Sequence, residues 1–240
     1  MAMGDISHQK PGFLVHKAVE YHARTGLPLV TVSYAQTLDG CLTLKRGQSS
    51  PVSSQAAMKI THQLRAAHDA ILVGIDTLLA DNPRLTVRLA AGPNPLPIVL
   101  DSHLRMPLDA ALLSHPRGVI IATTEQADHD RHDALIAAGG TLWVLPSDQD
   151  NRVSLNDLLG KLGKMKINSL MVEGGSQVIS SFLREGLANC AIITIAPVFA
   201  AGYHAVRDLH FTDWGALPRL VDMQSITVDN DLIVWGDISR

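Results

Sequence analysis

Cysteine is nearly missing from this 240-residue chain: Cys41 and Cys190 stand alone, with no CxxC pair. A disulfide framework is thereby excluded, and a reducing cytoplasm is the expected compartment. Aromatics are scarce too, four Phe, three Trp and three Tyr, too few for a platform that stacks nucleic-acid bases. Neither sign of charge dominates, since the net charge is −3, so broad attraction to nucleic acid or to an anionic membrane has no basis. No apolar run approaches the ~18 residues that a spanning helix needs. Met1 to Gln9 is polar and lacks the basic-then-apolar order of a signal peptide.

Missing motifs narrow the chemistry further. No GxGxxG follows a strand pattern, and neither the GxxxxGK phosphate loop nor a GxSxG elbow occurs. Asp128-His129-Asp130-Arg131-His132-Asp133 spaces two histidines three apart. Without an HExxH or a third ligand this reads as a solvated helix end, and no metal is expected. The other histidines are dispersed and none is assigned a role.

What is present is an α/β pattern. A hydrophobic content of 46% with 18% charged residues fits one large domain with its own core. The β-branched run Leu29-Val30-Thr31-Val32-Ser33-Tyr34 starts the main pattern. Residues 1–27 precede it as an N-terminal extension, in which Phe13, Leu14, Ala18 and Tyr21 predict one short helix before Gly26. A helix is expected over Ser54 to Ala67, with Ser53 as N-cap and Ala57, Ile60 and Leu64 at helical spacing. Buried strands are expected at 69–74, 97–100, 119–122, 142–145 and 191–196, and a helix over 128–138. Ser154-Leu155-Asn156-Asp157 starts another helix with a pattern like a capping box. Residues 225–228 and 232–235, around Asp229-Asn230-Asp231, predict an antiparallel hairpin. Apolar strands alternating with helices predict a mostly parallel sheet covered on both faces and made mixed by that hairpin.

The most informative stretch is Val172-Glu173-Gly174-Gly175-Ser176. An apolar run from Ser169 stops at an acid and two glycines, after which Val178, Ile179, Phe182 and Leu183 fall on one helical face. Strand, Gly-Gly turn and helix place bare N–H groups where phosphate binds well. A carboxylate at the strand's end can bond a sugar or amine beside that phosphate. A phosphorylated ligand is therefore expected beyond the carboxyl ends of the strands. Three further clusters end elements. Thr37-Leu38-Asp39-Gly40 is alone a common turn. From Gly74 to Arg88, Asp81-Asn82-Pro83 breaks any helix and leaves Thr77, Asp81, Arg84 and Arg88 on a polar loop, where paired guanidinium groups suit phosphate. Asp101-Ser102-His103-Leu104-Arg105 is alone a surface turn.

Taken in order, and with Gly47-Gln48-Ser49, Arg65 and Ala196-Pro197, these clusters resemble the reductase domain of the riboflavin-biosynthesis deaminase–reductase. The resemblance covers about residues 29–237, and "TLLADNPRLTVR" is its most specific piece. It implies a single dihydrofolate-reductase-like α/β domain over 28–240. It also implies NADPH-dependent reduction of 5-amino-6-(5-phosphoribosylamino)uracil, or its 2,5-diamino pyrimidinone counterpart, to the ribityl compound. The furanose opens to an imine and hydride reaches ribose C1, so the site must align two molecules and exclude water. By the same resemblance Ser49, Arg65, Leu85, Arg88 and Glu173 are substrate contacts. Arg65 and Arg88 would lie at the phosphate end, and Glu173 at the reacting centre, on a ribose hydroxyl or the imine nitrogen. Ala35, Thr77, Asp81 and Ser102 fall on the NADPH side, as do Gly175, Ser176, Gln177, Val178, Ile179, Ser180 and Ser181. Arg105 is the candidate for the 2′-phosphate.

Three departures accompany the resemblance. Cys41 stands where many relatives carry Lys or Arg, and Pro51 where an aromatic is often found. The zinc-binding deaminase half is absent, which implies a separate deaminase protein in the pathway. Relatives are commonly dimers, so a homodimer is implied. Two other readings stay open. A dihydrofolate reductase would want an acid on the helix after the first strand, and 54–67 has none. A non-catalytic nucleotide-binding paralogue would keep the fold without turnover.

Overall fold

Parallel strands buried on both faces are written as continuous apolar runs, and in this chain each such run becomes a strand. The computed structural model describes residues 12–48 and 52–239. In chain order the elements are α1 (Gly12–Thr25), β1 (Leu29–Thr37), β2 (Cys41–Thr43), α2 (Gln55–Ala67), β3 (Ala70–Gly74), α3 (Ile75–Asp81), β4 (Leu96–Leu100) and β5 (Val119–Thr123). There follow α4 (His129–Ala137), β6 (Gly140–Val144), α5 (Leu155–Lys164), β7 (Ser169–Gly174), α6 (Ser176–Glu185) and β8 (Cys190–Ala196). The C-terminal strands are β9 (Tyr203–His204), β10 (Arg219–Val228) and β11 (Asp231–Ser239).

Among the described residues nine strands form one sheet, in the order β10-β11-β8-β1-β7-β3-β4-β5-β6. The run from β8 to β6 is parallel throughout, while β11 and β10 add antiparallel pairs at one edge. The fold is thus the mixed sheet expected, with helices on both faces. Successive side chains divide the core between those faces. Leu72, Ile98, Leu170 and Val172 pack with Leu158 and Leu162 of α5 and with Ile179 and Phe182 of α6. Ile71, Val73, Val99 and Met171 pack with Leu64 of α2, Leu78 of α3 and Leu135 of α4.

Helix α5 starts at the predicted cap. The Ser154 hydroxyl accepts the Asp157 N–H at 3.3 Å and donates to the Asp157 carboxylate at 2.6 Å. Ser154→Ala is expected to cost about 1 kcal/mol, read as a fall in thermal midpoint of roughly 3 °C.

Several boundaries differ from the sequence reading. Ser54, not Ser53, caps α2, accepting the Ala57 N–H at 3.3 Å. Its position is set from afar, because the Ser54 N–H donates to the buried Asp231 carboxylate at 2.7 Å. Asp231 accordingly belongs to β11, and the hairpin turn is Asp229-Asn230 alone. Residues 75–81 are helical where a loop was expected: Ile75 and Leu78, three apart, are both buried, and left-handed Asn82 ends the turn. Thr37-Leu38-Asp39-Gly40 has a structural role. The Asp39 carboxylate accepts the N–H groups of Ala200 and Ala201 and the Thr37 hydroxyl proton, and these bonds hold its pKa below the usual range. The short β2–β9 pair lies beside this link. Cys41 is buried there, its Sγ accepting the Gly202 N–H at 3.0 Å, and it does not line the cleft described below.

Helix α1 docks on the β1 and β11 side of the sheet. Ala18 packs with Leu29 and Cys190, Lys17 pairs with Asp237, and the Asn189 amide donates to the Tyr21 hydroxyl at 3.1 Å. Among the described residues no helix is long and apolar enough to cross a membrane.

Candidate active site

The carboxyl ends of β1, β3, β4 and β7 border a cleft of about 870 Å³. Its acid is placed by an irregularity in the sheet. Leu72 of β3 pairs with Val172 of β7, but Val73 pairs with Gly174, so Glu173 is an extra residue on one strand. Such a bulge re-aims a side chain, and Glu173 lines the cleft.

Helix α2 supplies the partner. Met58, Thr61, His62 and Arg65 recur at helical spacing, and all four line the cleft. Arg65 grips Glu173 with two parallel bonds, Nε to Oε1 at 2.6 Å and Nη2 to Oε2 at 2.7 Å. Burial works against the Arg65 charge, but the charge and hydrogen bonds of Glu173 outweigh it and raise the guanidinium pKa. The remaining Nη1 donates to the Thr86 carbonyl at 3.3 Å. Glu173 and Thr86 thus take three of the five Arg65 N–H groups. Arg88 is more open: it is exposed, and its Nη1 donates to the Thr86 hydroxyl at 2.8 Å. Leu85 does not line the cleft; it is 2% exposed and packs in the core with Leu64 and Leu78.

Next to Glu173 in the chain, the amino end of α6 converges with that of α3. A Cβ on Gly175 would come 3.0 Å from the Thr77 hydroxyl, and one on Gly74 2.8 Å from Val178 Cγ2, so glycine permits the approach. Gly175 starts α6 with no side-chain cap, and the Ser176 hydroxyl is buried without a partner. Ala35, Thr77, Asp81 and Ser102 line this side, as do Gly175, Ser176, Gln177, Val178 and Ser181. Ile179 and Ser180 face elsewhere. Ile179 is core, and the Ser180 hydroxyl bonds the Ser176 carbonyl at 2.8 Å and the Arg207 N–H at 2.9 Å. Asp76 bridges Arg105 at 2.7 Å and Arg46 at 2.9 Å. Burial opposes its ionisation, but the two guanidinium groups outweigh burial and lower its pKa. Among the described residues no group of three or more His, Cys, Asp or Glu is placed to hold a metal.

Residues 28–234 match the family model described as the RibD C-terminal domain. The chain belongs to that family. It is 36% identical over 218 residues to the 2,5-diamino-6-ribosylamino-4(3H)-pyrimidinone 5′-phosphate reductase of Methanothermobacter thermautotrophicus, spanning 86% of this chain and 96% of that one. The structure of Acinetobacter baumannii RibD superposes with a TM-score of 0.80 at 26% identity, covering 94% of this chain and 62% of that one. Enterococcus faecalis dihydrofolate reductase shares the fold alone, with a TM-score of 0.52 at 15% identity over 87% and 96% of the two chains. The chain spans about half the length of the curated RibD proteins it matches.

For this RibD-family domain, sequence reasoning left some cleft residues unassigned. Ser49 and Pro51 lie outside the described residues. His62 was passed over with the other dispersed histidines, although its place one turn before Arg65 was the available signal. Arg46 and the 148–153 loop were also missed; with its amide turned, Gln177 accepts from Arg152 at 2.9 and 2.6 Å. The Ser102 hydroxyl ties that loop to the end of β4 by accepting the Val153 N–H at 3.2 Å. Tyr34 lines the cleft floor, where burial pushes its phenol up to about 12.

Proposed function

We propose that this chain reduces 5-amino-6-(5-phosphoribosylamino)uracil, or its 2,5-diamino pyrimidinone counterpart, to the ribitylamino phosphate in riboflavin biosynthesis, with NADPH as reductant. The observation that carries this reading is one cleft holding an uncapped helix start two residues along the chain from a guanidinium-clamped carboxylate. Family membership and the identity to an archaeal pyrimidinone phosphate reductase support the substrate class.

The residues fit a dinucleotide. The α6 start has no side-chain cap, the Ser176 hydroxyl is an orphan, and Gly175 leaves room that a Cβ would fill. NADPH, when bound, supplies the hydride. The chain's own residues bind, orient and exclude water. The α6 N–H groups suit the pyrophosphate, and Arg105 with Arg46 suits the 2′-phosphate. Each Glu173 oxygen accepts one bond from Arg65 and keeps lone pairs for a ribose hydroxyl or the imine nitrogen. Arg88 takes the substrate phosphate. The domain acts in the cytoplasm as a homodimer; the exposed apolar side chains Val221 and Met223 on edge strand β10 support the dimer.

Purified protein mixed with NADPH and the phosphoribosylamino pyrimidine should consume the cofactor's absorbance. Consumption with dihydrofolate alone would move the chain to another reductase activity, and none with either would leave a binding paralogue. Arg88→Ala is expected to raise KM about tenfold with kcat little changed, since a remote phosphate contact contributes binding energy to ground and transition states alike. A KM within about twofold of the parent would remove Arg88 from the phosphate end.

A further inference from the structure

We propose that His62 organises the phosphate end of the cleft: one ring nitrogen locks the backbone of Arg88, and the other offers its N–H to the same sugar phosphate. This rests on the reading in which a sugar phosphate enters the cleft.

His62 sits on α2 one turn before Arg65 and is 2% exposed. Its Nδ1 accepts the Arg88 N–H at 2.9 Å and is approached by the Leu89 N–H at 3.5 Å. An imidazole that accepts through Nδ1 carries its proton on Nε2. Burial, then the charges of Arg65 and Arg88, push the ring's pKa down and favour that neutral form. Among the described residues Nε2 has no hydrogen-bond partner, yet it is not one of the sealed, unpartnered atoms. His62 lines the cleft, and with Nδ1 on the 88–89 backbone, Nε2–H is the polar atom left to face it.

A second histidine on the same helix end provides the contrast. His68 is buried with both nitrogens used, Nδ1 at 2.7 Å from the Leu64 carbonyl and Nε2 at 3.0 Å from the Thr31 hydroxyl. That is a histidine satisfied by the fold. His62 has only one nitrogen so satisfied. Among the described residues the Arg88 guanidinium and the His62 Nε2–H stand at this end to meet a phosphate, with the Arg65 N–H groups that Glu173 and Thr86 leave over. The first is carried on a backbone that His62 itself holds.

Two variants separate the halves. His62→Asn keeps an acceptor near Nδ1 and removes the Nε2–H; His62→Ala removes both. By titration calorimetry, ribose 5-phosphate is expected to bind about tenfold more weakly to the Asn variant and about a hundredfold more weakly to the Ala variant. Ribose itself should not discriminate among the three proteins. In turnover, KM for the phosphorylated pyrimidine should follow the same order, with kcat within about threefold. Asn binding as tightly as the parent, or equal losses for ribose and ribose 5-phosphate, would overturn the proposal. So would a parent protein that does not bind ribose 5-phosphate. A parent that binds it but consumes no NADPH with the pyrimidine would sink the proposed reaction and leave the His62 comparison standing.

Discussion

Glu173→Gln is expected to reduce turnover by about two to three orders of magnitude, the range seen when one preorganised polar group at a reacting centre is lost. Gln keeps the size and one acceptor but not the charge. The nitrogen or hydroxyl facing position 173 then loses its anionic partner, and the amide's N–H₂ must turn toward either the substrate or Arg65. Both arrangements are unfavourable, because Arg65 offers only donors along that edge. Stability should fall as well. Arg65 and Glu173 are 14% and 13% exposed at their side chains, and breaking a buried pair strands a charge at a cost of about 3–5 kcal/mol when nothing replaces the partner. The retained carbonyl keeps the loss below that range. Stopped-flow hydride transfer with a thermal melt on the same sample separates the two effects. A parental rate of transfer would remove Glu173 from the reacting centre.

Gly163→Ala carries the largest expected effect on stability. A Cβ at this position in α5 would lie 1.9 Å from the Gly26 carbonyl oxygen and 3.4 Å from Leu27 Cα. Overpacking usually costs 1–3 kcal/mol because side chains rotate away. No rotation helps here, since the obstacle is backbone. Gly26 is itself fixed, in a left-handed conformation with its N–H on the His22 carbonyl at 2.7 Å. The loss should be about 3 kcal/mol or more, a drop of roughly 10 °C in melting temperature. Gly160, one turn earlier, has nothing within 4 Å of a built Cβ, so Gly160→Ala should instead gain up to about 1 kcal/mol of helix propensity. Equal melting of the two variants would show that α1 and its turn do not seat against α5 as described.

Strands and helices were readable wherever a local pattern decides structure. The runs at Leu29, Ala70, Val119 and Cys190 are strands because they are buried on both faces, and Ser154 caps α5 through a residue three positions away. Where a distant partner decides, the local pattern failed. Ser53 and Ser54 are equivalent by sequence, and Asp231, 177 positions away, settles between them. The helix at 75–81 was hidden because it is only seven residues long and only two of its apolar side chains, Ile75 and Leu78, are buried. The same limit applied in the cleft. Glu173 and the Gly-Gly turn announce themselves in order along the chain. That Arg65 meets the acid depends on a helix meeting a strand across 108 positions of chain.

The extra residue in β7 has a consequence for how this domain can change. Up to Val172 the strand keeps step with β3, and beyond it the glycine sits where the acid would otherwise stand. Deleting position 173 would restore an unbroken ladder and at the same stroke take away the carboxylate. A regular ladder and the carboxylate are thus in opposition at one locus, and a variant selected only for a more regular sheet would lose the acid that the proposed reaction uses.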